Sequence, residues 1–386
     1  MHCSFVKLRM DFMKYTAVRL RYKAKCVILA LGADGKSGFC LVKGRSACVY
    51  NFDKSLADIN NLKAFEKELK KALKAKPGVI ACDIHPGYIS TVLAEEIASK
   101  HKIDIKHIQH HEAHIASCIA ENDIKGDVIG VAFDGTGLGH DGNIWGGEFF
   151  MGSIRGFKRA AHLKYAVMPG GESSIREPWR MAFSFIYDIY GASIKNVNAN
   201  FLKRHDKAEI ILLKQIIDKK LNSPLSSGMG RLFDAVSSLI GIRDVAEYEA
   251  QAAIELEKAI EDSVSDPKAP GKYAFDYKRD NEVIVIDWAP VIKGIMKDLR
   301  AGKSKSVISL KFHSAVCNMI KDVCESLRKK CAINQVCLSG GVFQNKYISA
   351  NATAILENRG FCVYSHKRIP VHDGNISLGQ AVLAGR

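Results

Sequence analysis

The chain has 386 residues, 47% of them hydrophobic and 25% charged, with a formal net charge of +15. This is the balance of an ordinary globular protein, and the length exceeds a comfortable single core, so two lobes are expected. No apolar run nears the ~20 residues of a membrane span, and Met1 to Lys25 contains no continuous apolar leader, which excludes membrane insertion and secretion as expectations and makes the cytoplasm the expected compartment.

The positive charge has a bland source. In Leu62 to Leu73 the apolar residues Leu62, Phe65, Leu69 and Leu73 form one stripe and lysines the other face, so the basic surface reads as solvated helix faces, and nucleic acid is not an expected partner. The 11 cysteines are scattered, mostly in apolar segments, with no CxxC pair. Reduced, largely buried thiols are expected, and a zinc ribbon or dithiol redox site is not.

In chain order, residues 1–25 are basic with poor periodicity and read as an extension. Cys26 to Leu31, Gly38 to Val42 and Ala47 to Asn51 read as strands, the first two joined by the turn Gly32-Ala-Asp-Gly35. Strands and helices then alternate. A helix is expected over 61–74, a strand over 79–82, a helix over 90–100 and a strand over 105–109, followed by a helix from His110. Near residue 124 the pattern starts again: apolar strand Val128 to Phe133, Asp-Gly turn, strand Ile144 to Met151. Residues 174–262 read as mainly helical, with helices over 180–190, 207–221, 231–239 and 248–261. Residues 271–286 read as a small pair of strands. A long helix is expected over 306–330, a strand over 335–338, a helix over 346–358, a strand over 362–364 and a last helix over 376–384. The fold class is therefore layered α/β, with 26–123 and 124–374 as its two lobes.

Three features carry chemistry. His110 and His114 are four residues apart, which on a helix sets both imidazoles on one face, able to share a transition metal. Three glycine-rich turns each follow a buried strand: 32–35, 134–139 and 339–341. Glycine there lets the backbone approach phosphate oxygens. None fits the P-loop or dinucleotide patterns, so a phosphate cleft between lobes is the better reading. Asp134 and Asp373 each precede a glycine and can serve as caps or as metal carboxylates.

The blocks His110-His-Glu-Ala-His114, Phe133-Asp-Gly-Thr-Gly137, Ile175-Arg-Glu-Pro-Trp-Arg-Met181, Gly228-Met-Gly-Arg-Leu-Phe-Asp234, Ser339-Gly-Gly-Val-Phe-Gln-Asn345 and Asp373-Gly-Asn-Ile-Ser-Leu-Gly-Gln380 together resemble the HypF carbamoyltransferase family of nickel–iron hydrogenase maturation. The likeness runs colinearly over residues 26–386. It implies an actin/Hsp70-like fold of two RNase H-like lobes, the first completed by residues 375–386, with nucleotide and metal in the cleft between them. It implies carbamoyl-adenylate as donor and the C-terminal cysteine of a HypE-like partner as acceptor, on the way to the cyanide ligands of the hydrogenase metal centre. By the same likeness His110, His114, Asp134 and Asp373 would hold one metal, iron or zinc. Gly135, Thr136, Gly137, Gly340, Gly341 and Asn345 would hold phosphate or adenosine, and Asp234 the ribose hydroxyls. Departures are Leu138, His140 and His372, where the family usually has an aromatic residue, Glu and Asn. The matching region starts near residue 26, so the domains that make carbamoyl-adenylate are expected on a separate protein or domain. Other readings are a small-molecule O-carbamoyltransferase, a tRNA threonylcarbamoyltransferase, or a non-catalytic nucleotide-binding scaffold.

Overall fold

A computed structural model describes residues 14–196, 199–260 and 272–386. The first half of the N-terminal extension, the end of the helix expected over 248–261 and residue 271 of the expected strand pair lie outside the described residues.

The first sheet is built from β1 (Lys14–Arg19), β2 (Ile28–Ala30), β3 (Gly38–Lys43) and β4 (Ser46–Asn51), followed by helix α1 (Ile59–Ala72), β5 (Val79–Asp83), α2 (Ile89–His101), β6 (Asp104–Ile108) and α3 (His110–Glu121). Its order is β1-β4-β3-β2-β5-β6. The pairs from β1 to β2 are antiparallel, and those from β2 to β6 parallel. β1 corrects the reading of 1–25 as a bare extension. Lys14 to Arg19 pairs along the whole of β4 from Lys14–Asn51 to Arg19–Ser46. An edge strand with charged ends buries one side only, which blurs its sequence pattern.

The alternation of β3 explains the two layers around this sheet. Phe39 and Leu41 face α1 and α2, packing with Phe65, Leu69, Ala94 and Ala98. Cys40 and Val42 face the opposite side, as the period of two requires.

The second sheet holds β7 (Val128–Leu138), β8 (Ile144–Ser153), β9 (Gly156–Leu163) and the short β10 (Ala166–Val167). Helices α4 (Ser173–Arg176), α5 (Pro178–Tyr190), α6 (Ala199–Leu202) and α7 (Lys207–Asp218) follow, then β11 (Leu225–Ser226), α8 (Met229–Leu239) and α9 (Gln251–Lys258). β12 (Asp276–Asp280), β13 (Val283–Asp287), α10 (Ala289–Arg300), α11 (Lys305–Cys331), β14 (Gln335–Ser339), α12 (Lys346–Asn358), β15 (Cys362–Tyr364) and α13 (Ile376–Ala384) complete the chain. The order is β12-β13-β9-β8-β7-β14-β15. Its stretch β9-β8-β7-β14-β15 repeats β4-β3-β2-β5-β6: two antiparallel pairs, then two parallel ones. The restart of the sequence at residue 124 is thus a repeat of topology. β9 and α10 were not anticipated. α9 starts three residues later than its pattern suggested, because Ala250 takes φ +60°, a left-handed conformation that costs an alanine about 1–2 kcal/mol.

α3 lies between the sheets. On β7, Ile129, Val131 and Phe133 turn to the large core with α5, α8 and α11, while Val128 and Ala132 turn to Ile115 and Ile119 of α3. α13 returns from the second sheet to the first, where Leu378, Ala381 and Val382 pack with Ile28, Ala30 and Ala116. Gln380 ties it down: its amide bonds both Gly32 N and Gly32 O, at 2.8 and 3.0 Å. Gly379 lets α13 touch α3, since a Cβ there would sit 1.8 Å from Ala113 O. Among the described residues, no helix is long and apolar enough to cross a membrane. The expected class, two α/β lobes around a cleft, is the fold observed.

Candidate metal and nucleotide site

The histidine helix begins where β6 ends. Gln109 caps it, accepting from Glu112 N at 2.9 Å, so His110 and His114 fall in the first two turns, on one face. Both are fully buried. Their Nε2 atoms point to Asp134, inside β7, and to Asp373 in the turn before α13. His114 Nε2 is 3.0 Å from Asp134 Oδ2 and 3.7 Å from Asp373 Oδ1; His110 Nε2 is 3.7 and 3.6 Å from the same two oxygens. One ligand atom from each of the four side chains lies within 4.8 Å of the others.

These spacings suit a cation. Tetrahedral zinc with bonds of 2.0–2.2 Å needs ligand atoms about 3.4 Å apart. His110 Nε2 has no hydrogen-bond partner although it is fully buried. An orphaned ring nitrogen aimed at two carboxylates is a coordination site in the making. Burial disfavours imidazolium at His110, yet the carboxylates of Asp134, Asp373 and Asp83 around its ring outweigh that and raise its pKa well above the usual value. Burial likewise pushes Asp134 up, and His110 and His114 more than reverse this, holding it well below the carboxylate range.

Two further residues, unforeseen in the sequence, hold the histidines from behind. Asp83, the last residue of β5, puts Oδ2 2.9 Å from His110 Nδ1, and its Oδ1 accepts from His85 N at 2.9 Å. Asn375 Oδ1 is 3.0 Å from His114 Nδ1. Asp83 had one available signal: it ends a buried parallel strand, where open α/β sheets place their sites.

Asp134 and Asp373 line one end of a cavity of ≈ 320 Å³, with the buried His110 and His114 behind them. Asp34, Gly35 and Tyr88 line it from the first lobe; Gly135, Thr136, Asp234, Gly341 and Asn345 line it from the second. Ile175, Phe233, Ile254 and Val342 give it an apolar side, the composition of a site for a flat ring carrying polar groups. Asp34 is already engaged, capping α2 through Ile89 N and Ser90 N at 2.7 and 2.9 Å.

The other expected residues sort differently. Gly137 and Gly340 lie behind the lining. A Cβ on Gly137 would meet His111 Cε1 at 2.6 Å, and one on Gly340, at φ +106°, would meet Phe133 O at 2.3 Å. Both are close-approach glycines that let α3 and the turn after β14 pack on β7. Asn345 caps α12 through Ile348 N at 2.9 Å, and its Nδ2 bonds His313 Nε2 at 3.0 Å. His313 can accept there because burial pushes its pKa down to about 4, leaving its Nδ1–H for Ser309 O. Asp234 is buried beside Arg231, whose Nη2 is 2.8 Å from Asp234 Oδ2. This contact is an ion pair without hydrogen-bond alignment, and Arg231 Nε has no hydrogen-bond partner. Burial pushes the Asp234 carboxyl up to about 6, against the pull of Arg231.

Comparison with known proteins agrees with the motifs. Residues 23–121 match the model of the HypF Kae1-like domain. Residues 130–380 match that of the carbamoyltransferase, Kae1-like domain, second subdomain. A carbamoyltransferase HypF homolog of Cupriavidus necator is 32% identical, over 93% of this chain and 91% of its own length. Carbamoyltransferase HypF of Synechocystis is 31% identical over 92% of this chain but 46% of its own length. A crystal structure of full-length HypF in its phosphate- and nucleotide-bound form superposes with a TM-score of 0.89 at 38% identity, covering 96% of this chain and 57% of that one. The chain thus spans about half of the longer relatives and nine-tenths of the shorter one. It belongs to the HypF carbamoyltransferase family, as a Kae1-like domain pair.

Proposed function

We propose that this HypF-family chain moves a carbamoyl group from carbamoyl-adenylate, bound in the interlobe cleft, to the C-terminal cysteine of a HypE-like acceptor protein. The observation that carries the reading is the convergence of His110, His114, Asp134 and Asp373 at the end of a cavity that continues into an apolar slot beside Asp234. The nucleotide-bound state of the full-length relative and the family's name support it.

In this reading the adenine lies against Ile175, Phe233 and Ile254, and Asp234 accepts from the ribose hydroxyls. The amides of Thr136 and Gly341 face the phosphate, and Gly135, whose N–H donates to Asp134 Oδ1 at 2.7 Å, lets it come close. The acceptor thiolate attacks the carbamoyl carbon, the C–O bond to phosphate breaks, and AMP leaves with that electron pair, giving a thiocarbamate. His110, His114, Asp134 and Asp373 would hold a transition metal, which would supply Lewis-acid polarisation of the phosphate or carbamoyl oxygen. Imidazole and carboxylate donors suit both iron and zinc. The apolar side of the cleft also limits the access of bulk water that would compete with the thiolate.

The test supplies synthetic carbamoyl-adenylate and a HypE-like protein, and follows carbamoylation of the acceptor cysteine by mass spectrometry. Wild type should transfer, and His110→Ala/His114→Ala should not. Equal transfer by both, or transfer by neither, would overturn the reading.

A further inference from the structure

We infer that Asn375 is the positioning residue that fixes the tautomer of His114, so that Nε2 and not Nδ1 is presented to the metal. This rests on the metal reading above and extends it to a residue that ligates nothing.

Asn375 is fully buried, two residues after Asp373. Its Nδ2 faces Pro370 O at 3.1 Å, Val371 O at 3.0 Å, Ser339 Oγ at 3.3 Å and His366 Nε2 at 3.3 Å. Two of those partners are carbonyls, which only accept. The reversed amide would set Oδ1 against both carbonyl oxygens, so the backbone of the 370–371 turn decides which way the amide points. Its Oδ1 must then face His114 Nδ1, at 3.0 Å. An amide oxygen also only accepts, so Nδ1 of His114 carries a proton, and Nε2, the atom 3.0 Å from Asp134, is the nitrogen left to give its lone pair to a cation in place of that contact.

The chain behind Asn375 has the same polarity. His366 Nδ1 is 2.9 Å from Glu121 Oε2, and its Nε2 is 2.9 Å from Ser339 Oγ. Glu121 is occupied as an acceptor by the amides of Lys367, Arg368 and Ile369, so His366 donates to it through Nδ1 and accepts from the Ser339 hydroxyl through Nε2. Ser339 Oγ is then free to accept from Asn375 Nδ2. Every donor in the series has an acceptor, and only Asn375 oriented this way closes it. One turn of the chain thus delivers a carboxylate, Asp373, and aims an imidazole from α3.

The experiment uses the full chain, stripped with a chelator and titrated with Zn2+ in competition with a chromophoric chelator. Asn375→Ala should weaken Zn2+ binding by about 10- to 100-fold, as loss of an outer partner of a ligating histidine does. Ser339→Ala removes a buried polar contact of Asn375 and a long 3.5 Å contact of His114 Nδ1, but leaves both carbonyl anchors and the Asn375 Oδ1 contact at 3.0 Å. It should lower the unfolding midpoint while keeping Zn2+ affinity within a few-fold of wild type. A purely structural role would lower affinity in both variants in step with their midpoints. On Zn2+-loaded wild type, long-range nitrogen NMR should show His114 Nδ1 protonated and Nε2 on the metal, and this holds the inference to account even where a variant fails to fold. Unchanged Zn2+ affinity in Asn375→Ala, or a proton on Nε2 in wild type, would overturn it. Wild type that takes up no Zn2+ would overturn the metal reading itself, and this inference with it.

Discussion

Asp83 Oδ2 and His110 Nδ1 lie 2.9 Å apart with both side chains fully buried, joining the end of β5 to the start of α3. A buried carboxylate at one ring nitrogen makes the other a stronger donor and stops the ring turning. The same carboxylate holds His85 N, in the turn that carries Tyr88 into the cleft.

Asp83→Ala should therefore act twice. Metal affinity should fall by about 10- to 100-fold, measured by chelator competition. The metal-free protein should lose about 1–3 kcal/mol in urea unfolding, because His110 Nδ1 and His85 N are left buried without an acceptor. An unchanged dissociation constant would detach Asp83 from the site.

Asp234 should make nucleotide binding depend on pH. Its carboxyl is pushed up to about 6 by burial. Because the folded value exceeds the unfolded one, this group's contribution to stability is full at low pH and is lost as pH rises through about 6. Asp234→Asn should thus be more stable than wild type above about pH 6, by at most about 3 kcal/mol. Affinity runs the other way: the carboxylate is the better ribose acceptor, so calorimetric titration with ATP should show wild-type binding tighten as pH rises through that value. The Asn variant should stay flat, and weaker at neutral pH by roughly 10- to 100-fold. A wild type as flat as the variant would remove Asp234 from the ribose site.

Gly379→Ala should separate α13 from α3. The added methyl would lie 1.8 Å from Ala113 O, a backbone atom, so one of the helices must shift. We expect a loss of about 1–3 kcal/mol or more in urea unfolding, together with weaker metal binding, since α3 carries two of the ligands and the turn before α13 a third. Wild-type stability would show that the helices have slack here.

What could be read from the sequence followed the range of each signal. His110 and His114 lie on one helix, so their shared face is a matter of local spacing. The strands β2 and β7 announce themselves by apolar runs, but the turn expected at Asp134 is strand: β7 continues to Leu138 across an irregularity in its pairing between Phe133 and Gly137. Asp83 and Asn375 were invisible because their partners are 27 and 261 residues away, and an aspartate ending a strand looks the same whether or not it holds a histidine. Gly137 and Gly340 were read as phosphate contacts because a glycine that admits a ligand and one that admits a neighbouring backbone leave the same mark in a sequence. β1 hid in a basic stretch because an edge strand shows only half an apolar pattern.

The central claim is that one transition metal sits among His110, His114, Asp134 and Asp373, and its most direct test is elemental analysis of the purified chain. The account predicts about one iron or zinc per chain in wild type and none retained in the His110→Ala/His114→Ala variant, since two carboxylates alone make a poor site for either metal. Stoichiometric metal kept by the double variant would contradict it.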